Sequence, residues 1–150
     1  MEEKPLTSRS INDLHSDLAM VFNQAESEWE KAGNANVFIT CTHRNNAMQM
    51  KLYAQGRTEK GGIVTWAKAG QSPHNYLPAL AFDIAFLKPD GKSLDWSGNN
   101  FIEFSKVVKR IAKSLKVDIT WGGDWDNDGV VDRKKTDLPH FQLDNWKKMA

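Results

Sequence analysis

The chain has 150 residues with 20 Lys and Arg against 19 Asp and Glu, a length that suits one compact domain. This near-neutral balance argues against nucleic acid as a partner. The single cysteine, Cys41, excludes an internal disulfide and a cysteine-rich zinc knuckle. We therefore expect one domain over residues 1–150, with residues 1–9 as a loosely packed N-terminal arm.

The composition also limits where the chain acts. Its first twenty residues lack an unbroken apolar run of seven, so we expect no signal peptide. No stretch is long and apolar enough for a transmembrane helix, and we expect no stable membrane association. A chain of this length buries enough surface to be stable alone, so we expect a monomer.

The first half predicts a helix, a strand and a second helix. Apolar residues at helical spacing follow a cap near Ser10 and stop before Gly33, which predicts one helix. Residues 37–42 are typical of a buried strand, with Cys41 in the core. Residues 47–55 predict a helix, and a long connection over residues 57–79 contains a short predicted strand at 63–65.

The second half contains the most informative strand. Leu80, Phe82, Ile84 and Phe86 share one face, and Asp83 lies on the other between two alanines. The remaining predicted elements are a helix with its apolar stripe over residues 101–115 and two short strands at 119–121 and 141–143. These elements predict an α+β fold, with a small and mostly antiparallel sheet flanked by helices.

Asp83 is the first candidate for chemistry. A carboxylate in a strand with a wholly apolar opposite face needs a cation, hydrogen-bond donors or a metal, because burying an unpaired charge is costly. The alanines beside it leave space for a site. An ordinary ion pair with an arginine is the alternative.

Two histidines complete a possible metal site. His74 lies in SPHNY and His140 in DLPHF, and two imidazoles with one carboxylate are a typical ligand set for catalytic zinc. Asp137 precedes His140 by three residues and could serve as a base beside the metal. The chain lacks HExxH, which excludes a helical zincin site. The alternative is that both histidines are structural.

Four ordered motifs resemble a known family. The chain contains, in order, QGRT, SPHNY with the following ALAFD, WGGDW and DLPHFQL. Over residues 7–146 it is similar to LAS-type zinc peptidases, specifically L-alanyl-D-glutamate endopeptidases of phages and bacteria. The resemblance implies the LAS/hedgehog-type metallopeptidase fold. It also implies that His74, Asp83 and His140 bind zinc and that Asp137 is the catalytic carboxylate.

The resemblance also assigns two arginines and reveals two departures. Arg44 and Arg57 match family arginines near the site, where a guanidinium could hold a substrate carboxylate or polarise the scissile carbonyl. Surface ion pairs are the alternative for both. The first two ligands are nine residues apart here, whereas the family usually has seven. His43 stands where the family tends to have an aromatic residue, so it is a possible substrate contact.

An acidic segment between WGGDW and DLPHF predicts a calcium site. Its spacing matches positions of an EF-hand-type loop, but Lys135 stands where that loop has a bidentate glutamate. A solvated turn is the alternative. The expected calcium ligands are Asp124, Asp126, Asp128, Asp132 and the carbonyl of Val130.

The function expected from the resemblance is that of an endolysin. It would be a zinc-dependent endopeptidase that hydrolyses the L-alanyl-D-glutamate bond of bacterial peptidoglycan, with calcium as a possible regulator. Such a protein would be made in the host cytoplasm and reach the wall through a holin-type lesion. Two alternatives stay open: a D-alanyl-D-alanine-cleaving peptidase of the same fold, or a noncatalytic module that binds calcium or the wall.

Overall fold

The structure is a computed structural model that describes residues 3–150. Met1 and Glu2, part of the predicted N-terminal arm, lie outside the described residues. The rest of the arm runs along the end of the first strand. The Ser8 backbone N–H donates to the His43 carbonyl at 2.7 Å, and the Thr42 N–H donates to the Ser8 carbonyl at 2.7 Å.

The first helix is shorter than its apolar pattern predicts. A 3-10 turn, Ile11–Asp13, comes first, and helix α1 spans Ser16–Lys31. The prediction of one helix starting near Ser10 is therefore wrong. Two caps divide the segment, because the Ser10 side chain accepts from the first turn and His15 Nδ1 accepts from the Asp17 N–H at 3.2 Å.

Four strands form one antiparallel sheet within residues 3–150, which confirms the α+β prediction. Their order across the sheet is β1-β2-β4-β3. The strands are β1 Val37–Cys41, β2 Ala81–Phe86, β3 Ile119–Trp121 and β4 His140–Leu143, and the other helices are α2 Asn46–Ala54, α3 Gly98–Ser114 and α4 Trp146–Met149.

Helices α1 and α3 cover one face of the sheet. Phe82 of β2 packs edge-on against Phe22 of α1 and stacks on Phe141 of β4, with ring centroids 5.6 and 5.2 Å apart. Burial of each such side chain contributes about 1.5–3 kcal/mol. The alternation predicted for β2 is therefore confirmed, and Asp83 lies on the face away from these helices. Across residues 3–150, no helix has the length and apolar character to cross a bilayer.

The predicted strand at residues 63–65 is wrong. This segment forms an irregular, exposed loop in which Ile63 is 45% and Val64 is 55% exposed. The Thr65 carbonyl accepts from the Arg57 guanidinium at 3.1 Å, and the Thr65 hydroxyl contacts the Gln49 amide at 3.3 Å. Side chains therefore satisfy these backbone and hydroxyl groups in place of a strand partner.

Candidate metal centre

The sheet aligns two of the predicted ligands in one row. Asp83 on β2 is the register partner of His140 on β4, so both side chains emerge from the same face. His74 arrives from the 3-10 turn Pro73–Asn75, which is fixed by a capping box between Ser72 and Asn75. Strand pairing and a capped turn therefore bring together residues that are 57 positions apart in the chain.

The three side chains converge on one carboxylate oxygen. Asp83 Oδ1 lies 3.3 Å from His74 Nε2 and 2.9 Å from His140 Nδ1. The histidine side chains are 3% and 8% exposed, whereas that of Asp83 is 21% exposed. The cluster is thus enclosed on its imidazole side and reaches solvent at the carboxylate.

The outward nitrogen of each imidazole is held by an oxygen acceptor. His74 Nδ1 lies 2.8 Å from the Thr42 carbonyl, to which it donates, so Nε2 carries the lone pair. His140 has an oxygen at 2.9 Å on each side, because Nε2 faces Gln142 Oε1 and Nδ1 faces Asp83 Oδ1. A metal bound beside Asp83 would take the Nδ1 lone pair and leave the proton on Nε2, where Gln142 accepts it. Hydrogen bonds of this kind are typical of histidines that bind metals.

With the proton of each imidazole on its outward nitrogen, His74 Nε2 and His140 Nδ1 both turn a lone pair toward Asp83 Oδ1. His74 Nε2 is buried and has no hydrogen-bond partner among the described residues. Two nitrogen lone pairs facing a carboxylate oxygen repel one another unless a cation lies between them. Two imidazoles and one carboxylate match the donor set of catalytic zinc, so the residues present fit this metal.

The pKa values show the same demand for a cation. Burial alone would lower the pKa of His74, but the facing Asp83 carboxylate raises it to about 10. Burial would raise the pKa of Asp83, but His74 and His140 hold it well below its usual range. The isolated cluster therefore binds a proton tightly, and a metal ion would compete for the same position.

Cys41 is a neighbour that the sequence assigned only to the core. It is 5% exposed, and its Sγ lies 3.6 Å from His74 Nδ1. Cys41, His74 and Asp83 each offer a ligand atom within 4.8 Å of the others. The signal was the position of Cys41 at the end of a strand, but its pairing with Asp83 is visible only in the register.

Asp137 is placed by Gly122, the first glycine of WGGDW. The Asp137 N–H donates to the Gly122 carbonyl at 2.7 Å, and the Gly122 N–H donates to the His140 carbonyl at 2.8 Å. A Cβ on Gly122 would lie 2.1 Å from the Asp137 carbonyl oxygen, so only glycine allows this approach.

The Asp137 carboxyl is tuned by the cluster. Desolvation raises its pKa above the ordinary value, although the residue itself is exposed. The charges of His140, His74 and Arg44 lower the pKa, and that of Asp83 raises it. The predicted base therefore interacts with the same groups that form the cluster, and its pKa moves toward the range useful for proton transfer.

Arg44 also lies beside the cluster. Its Nη1 donates to Gln49 Oε1 at 3.0 Å, and its Nη2 is 3.8 Å from Cys41 Sγ. Its Nε is buried without a hydrogen-bond partner within residues 3–150. A buried donor left free at this position can receive an anionic or carbonyl oxygen.

Arg57 and His43 have other contacts. The Arg57 guanidinium donates to the carbonyls of Tyr53 and Thr65 at 2.6 and 3.1 Å. His43 Nδ1 lies 2.9 Å from the Tyr76 carbonyl. The structure thus brings Arg44 to the cluster and uses Arg57 to hold the loop that follows α2.

The predicted calcium residues form a second cluster. The carboxylates of Asp124, Asp126, Asp128 and Asp132 each offer an oxygen within 4.8 Å of the others. Asp124 is only 1% exposed, and its Oδ2 accepts from Lys109 Nζ at 2.8 Å.

Backbone N–H groups donate to three of these four carboxylates. The N–H groups of Asp128 and Gly129 donate to Asp124, at 3.1 and 3.0 Å, and the Val130 N–H donates to Asp128 at 2.8 Å. The Trp125 N–H donates to Asp132 at 2.8 Å. The acidic loop is therefore closed by its own hydrogen bonds and one ammonium group.

Comparisons with known proteins find peptidases. The sequence profile of a peptidase family described as D-alanyl-D-alanine carboxypeptidase matches residues 65–143. The peptidoglycan L-alanyl-D-glutamate endopeptidase CwlK of Bacillus subtilis is 39% identical over 150 residues, covering 95% of this chain and 78% of CwlK.

A solved structure has the same fold. The L-Ala D-Glu endopeptidase ChiX of Serratia marcescens superposes with a TM-score of 0.65 at 22% identity, covering 97% of this chain and 93% of ChiX. At that identity the likeness concerns the fold, and it agrees with the fold class predicted from the motifs.

Proposed function

Since this chain belongs to peptidase family M15, we propose that it is a zinc-dependent endopeptidase that cleaves the L-alanyl-D-glutamate bond of peptidoglycan stem peptides. The observation that carries the proposal is the convergence of His74 Nε2, Asp83 Oδ1 and His140 Nδ1. The choice of bond is supported by CwlK, whose name states that activity.

The metal would be held by His74, Asp83 and His140. When bound at a site of this kind, zinc supplies Lewis acidity for the hydrolysis of an amide bond. Thr42 and Gln142 keep both imidazoles in the tautomers that this binding requires. The histidine side chains are largely buried, so solvent reaches the cluster mainly at Asp83.

Asp137 would move the protons. Its carboxylate takes a proton from the attacking water and then delivers it to the amine that leaves when the C–N bond breaks. The raised pKa of Asp137 suits both steps, because a group that titrates nearer neutral pH can accept and release a proton. The backbone bonds to Gly122 hold it in place during this exchange.

The arginines would bind substrate. Arg44 presents its free, buried Nε beside the cluster, where it can hold the scissile carbonyl or a stem-peptide carboxylate. The proposed contact of Arg57 with substrate is supported by the family motif QGRT. Its two hydrogen bonds to backbone carbonyls orient the guanidinium for that role.

Digestion of defined peptidoglycan fragments tests the proposal. We expect purified protein to release products with a new N-terminal D-glutamate, identified by mass spectrometry. A chelator should stop the release and added zinc should restore it. No cleavage under any metal condition would contradict the enzyme and favour a noncatalytic wall-binding module.

A second candidate reaction is cleavage between two D-alanines. The description of the matching family profile names that activity, which makes it the main rival. The same digestion separates the two reactions. Cleavage between two D-alanines would release the terminal alanine of a pentapeptide stem and would produce no new N-terminal D-glutamate. Release of alanine alone would overturn the proposed bond while leaving the proposed zinc chemistry intact.

Calcium regulation stays a prediction for the acidic loop. Four clustered carboxylates repel one another, and a divalent cation would reduce that repulsion. The loop leads into Asp137, so ordering it would stabilise the catalytic segment. Calorimetric titration of calcium-free protein with Ca²⁺ should show one binding event that Asp128→Asn weakens. An unchanged heat signal and unchanged activity would contradict this role.

The endolysin role is proposed from the motifs and concerns where the protein acts. Protein made in the bacterial cytoplasm would leave the wall intact until another protein opens the membrane. Expression with and without a pore-forming partner tests this, with turbidity as the measurement. Rapid lysis without any membrane lesion would contradict it.

A further inference from the structure

An exposed patch follows α2, and it is separate from the metal cluster. It consists of Ile63, Val64 and Trp66, which are 45%, 55% and 80% exposed. We call this set the aromatic patch. Apolar side chains so exposed and so close together mark a binding surface more often than a chance feature.

The backbone beneath the patch is held firmly. Gln49, which is fully buried, donates through Nε2 to the Ala67 carbonyl at 2.7 Å and contacts the Thr65 hydroxyl at 3.3 Å. The Arg57 guanidinium donates to the Thr65 carbonyl. A Cβ on Gly56 would lie 2.7 Å from the Ile63 backbone nitrogen, so this turn is also tightly packed.

Internal contacts therefore fix a loop whose apolar side chains point to solvent. A loop that served only as a connection would gain nothing from this arrangement, because the exposed side chains contribute no core packing. A prepositioned surface loses less conformational entropy when it binds a partner. The geometry thus favours a recognition role for the patch.

One cation lies against the exposed indole, and a second lies beside the neighbouring Tyr53 ring. The Arg57 guanidinium carbon lies 5.4 Å from the Trp66 ring centre and 3.8 Å from that of Tyr53. Lys68 Nζ lies 5.6 Å from the Tyr53 ring. Residues 57–68 carry three cationic side chains and one carboxylate, which favours a partner with negative charge.

The patch is connected to the candidate active site. Gln49 Oε1 accepts from Arg44 Nη1 at 3.0 Å, while Gln49 Nε2 donates to the carbonyl of Ala67, the residue after Trp66. One buried side chain therefore links the arginine at the cluster to the loop that displays the indole. A polymer bound at the cluster could extend onto this loop.

We propose that the aromatic patch binds the glycan strand of peptidoglycan while the stem peptide enters the metal cluster. The choice of polymer rests on the proposed function. An open indole face packs against the C–H face of a sugar ring, and the two aliphatic side chains can pack against N-acetyl methyl groups. Arg57 and Lys68 would attract the free carboxylates of the stem peptides that branch from the strand.

A binding assay with glycan alone tests the proposal. Asp137→Asn serves as the background so that substrate is not consumed. The probes are glycan strands freed of stem peptides and intact purified sacculi, each sedimented with the protein. We expect Trp66→Ala to weaken binding to both probes by roughly thirtyfold, which is the smallest effect of a single hot-spot residue.

Trp96→Ala is the matched control. Trp96 is also exposed, at 58%, but it stacks on Phe101 at the start of α3 and should not affect glycan binding. Trp66→Phe should retain part of the binding, because it keeps an aromatic face. Circular dichroism should show the same fold for all variants, since Trp66 makes little core contact.

Several outcomes would overturn the proposal. Equal binding of Trp66→Ala and its background would do so, as would a loss seen with sacculi but not with peptide-free glycan. Tighter binding to anionic lipid vesicles than to glycan would assign the patch to membranes instead. None of these results depends on hydrolysis, so a failure here is distinguishable from failure of the proposed peptidase activity.

Discussion

The metal cluster and the acidic loop both gather ligand atoms, yet they are built differently. In the cluster, strand register and a capped turn fix the side chains, and His74 Nε2 stays without a hydrogen-bond partner among the described residues. In the acidic loop, backbone N–H groups and Lys109 already donate to Asp124, Asp128 and Asp132. Proximity of acidic groups alone therefore says less about metal binding than the presence of unsatisfied lone pairs.

The difference also concerns rigidity. Strands β2 and β4 hold Asp83 and His140 through paired backbones beside the aromatic core. The acidic loop lies outside the sheet, and most of its residues are exposed. A site on strands can bind a metal without rearrangement, whereas the loop would have to exchange its internal hydrogen bonds for those to a cation.

The largest expected effect comes from removing a carboxylate of each region. Asp83→Ala should abolish zinc retention and hydrolysis, because it removes one of three ligands. Asp126→Ala, the matched control in the acidic loop, should keep both. Elemental analysis after dialysis and peptidoglycan digestion are the measurements. Zinc retained by Asp83→Ala, or lost from Asp126→Ala, would contradict the assignment of zinc to the metal cluster rather than to the acidic loop.

Asp137→Asn tests the cluster without disturbing the metal. We expect the hydrolysis rate to fall by roughly 10²–10⁴-fold, the range for a lost general base. Zinc content and thermal stability should stay at the wild-type level, because the amide preserves the shape of the side chain. Rates on a defined muropeptide, with zinc measured in parallel, decide the matter. A rate within a factor of about two of wild type would remove Asp137 from proton transfer.

Gly122→Ala tests whether the backbone at the start of the acidic loop also positions Asp137. The new Cβ would meet the Asp137 carbonyl oxygen at 2.1 Å, so the segment must shift. We expect a stability loss of about 1–3 kcal/mol together with reduced activity. Gly62→Ala is the control, since its Cβ would have no described atom within 4 Å. Chemical denaturation measures the stability of both variants. Equal stabilities of Gly122→Ala and Gly62→Ala would contradict the close approach of Gly122 to Asp137.

The smallest effect is expected at the ion pair of the acidic loop. Burial would raise the pKa of Asp124, but Lys109 and the Gly129 N–H hold it well below its usual range. Lys109→Met should therefore lower stability at neutral pH by about 1 kcal/mol. A group with a lowered pKa stabilises the fold above its unfolded pKa of about 3.9, and this contribution fades as pH falls toward the folded pKa.

The difference between wild type and Lys109→Met should thus be constant near neutrality and narrow below about pH 4. Urea denaturation across that range measures it. The same variant frees a carboxylate oxygen, so it should bind Ca²⁺ at least as well as wild type. A stability difference between wild type and Lys109→Met that grows as pH falls would contradict the role of Lys109 in lowering the pKa of Asp124.

Much of the fold follows from local patterns in the sequence. The β2 alternation and the α3 stripe were correct because each has one wholly apolar face that must be buried. The strand at residues 63–65 was wrong because apolar, β-branched residues also suit an exposed loop when other side chains fix its backbone. The start of α1 was wrong because a polar cap can close a 3-10 turn as well as an α-helix.

The site was only partly accessible to sequence reasoning. The motifs named the candidate ligands, but their convergence depends on the register between β2 and β4, which local patterns do not specify. Gln49 gave no signal, and the position of Cys41 at the end of a strand did not reveal its contact with His74. A buried glutamine on a helix and a cysteine in an apolar strand are indistinguishable from core residues until their partners, Arg44 and His74, are in place.

The hydrogen bonds of Gly122 have a consequence for how this chain could vary. The Gly122 N–H donates to the His140 carbonyl, and the Gly122 carbonyl accepts from the Asp137 N–H. The two ends of the segment 123–136 are therefore joined at Gly122. Residues 123–136 are an excursion from the sheet that the Asp124–Lys109 ion pair ties to α3. Such an excursion can be exchanged for a shorter or longer one, or for an inserted sensor sequence, while the residues on either side keep their positions.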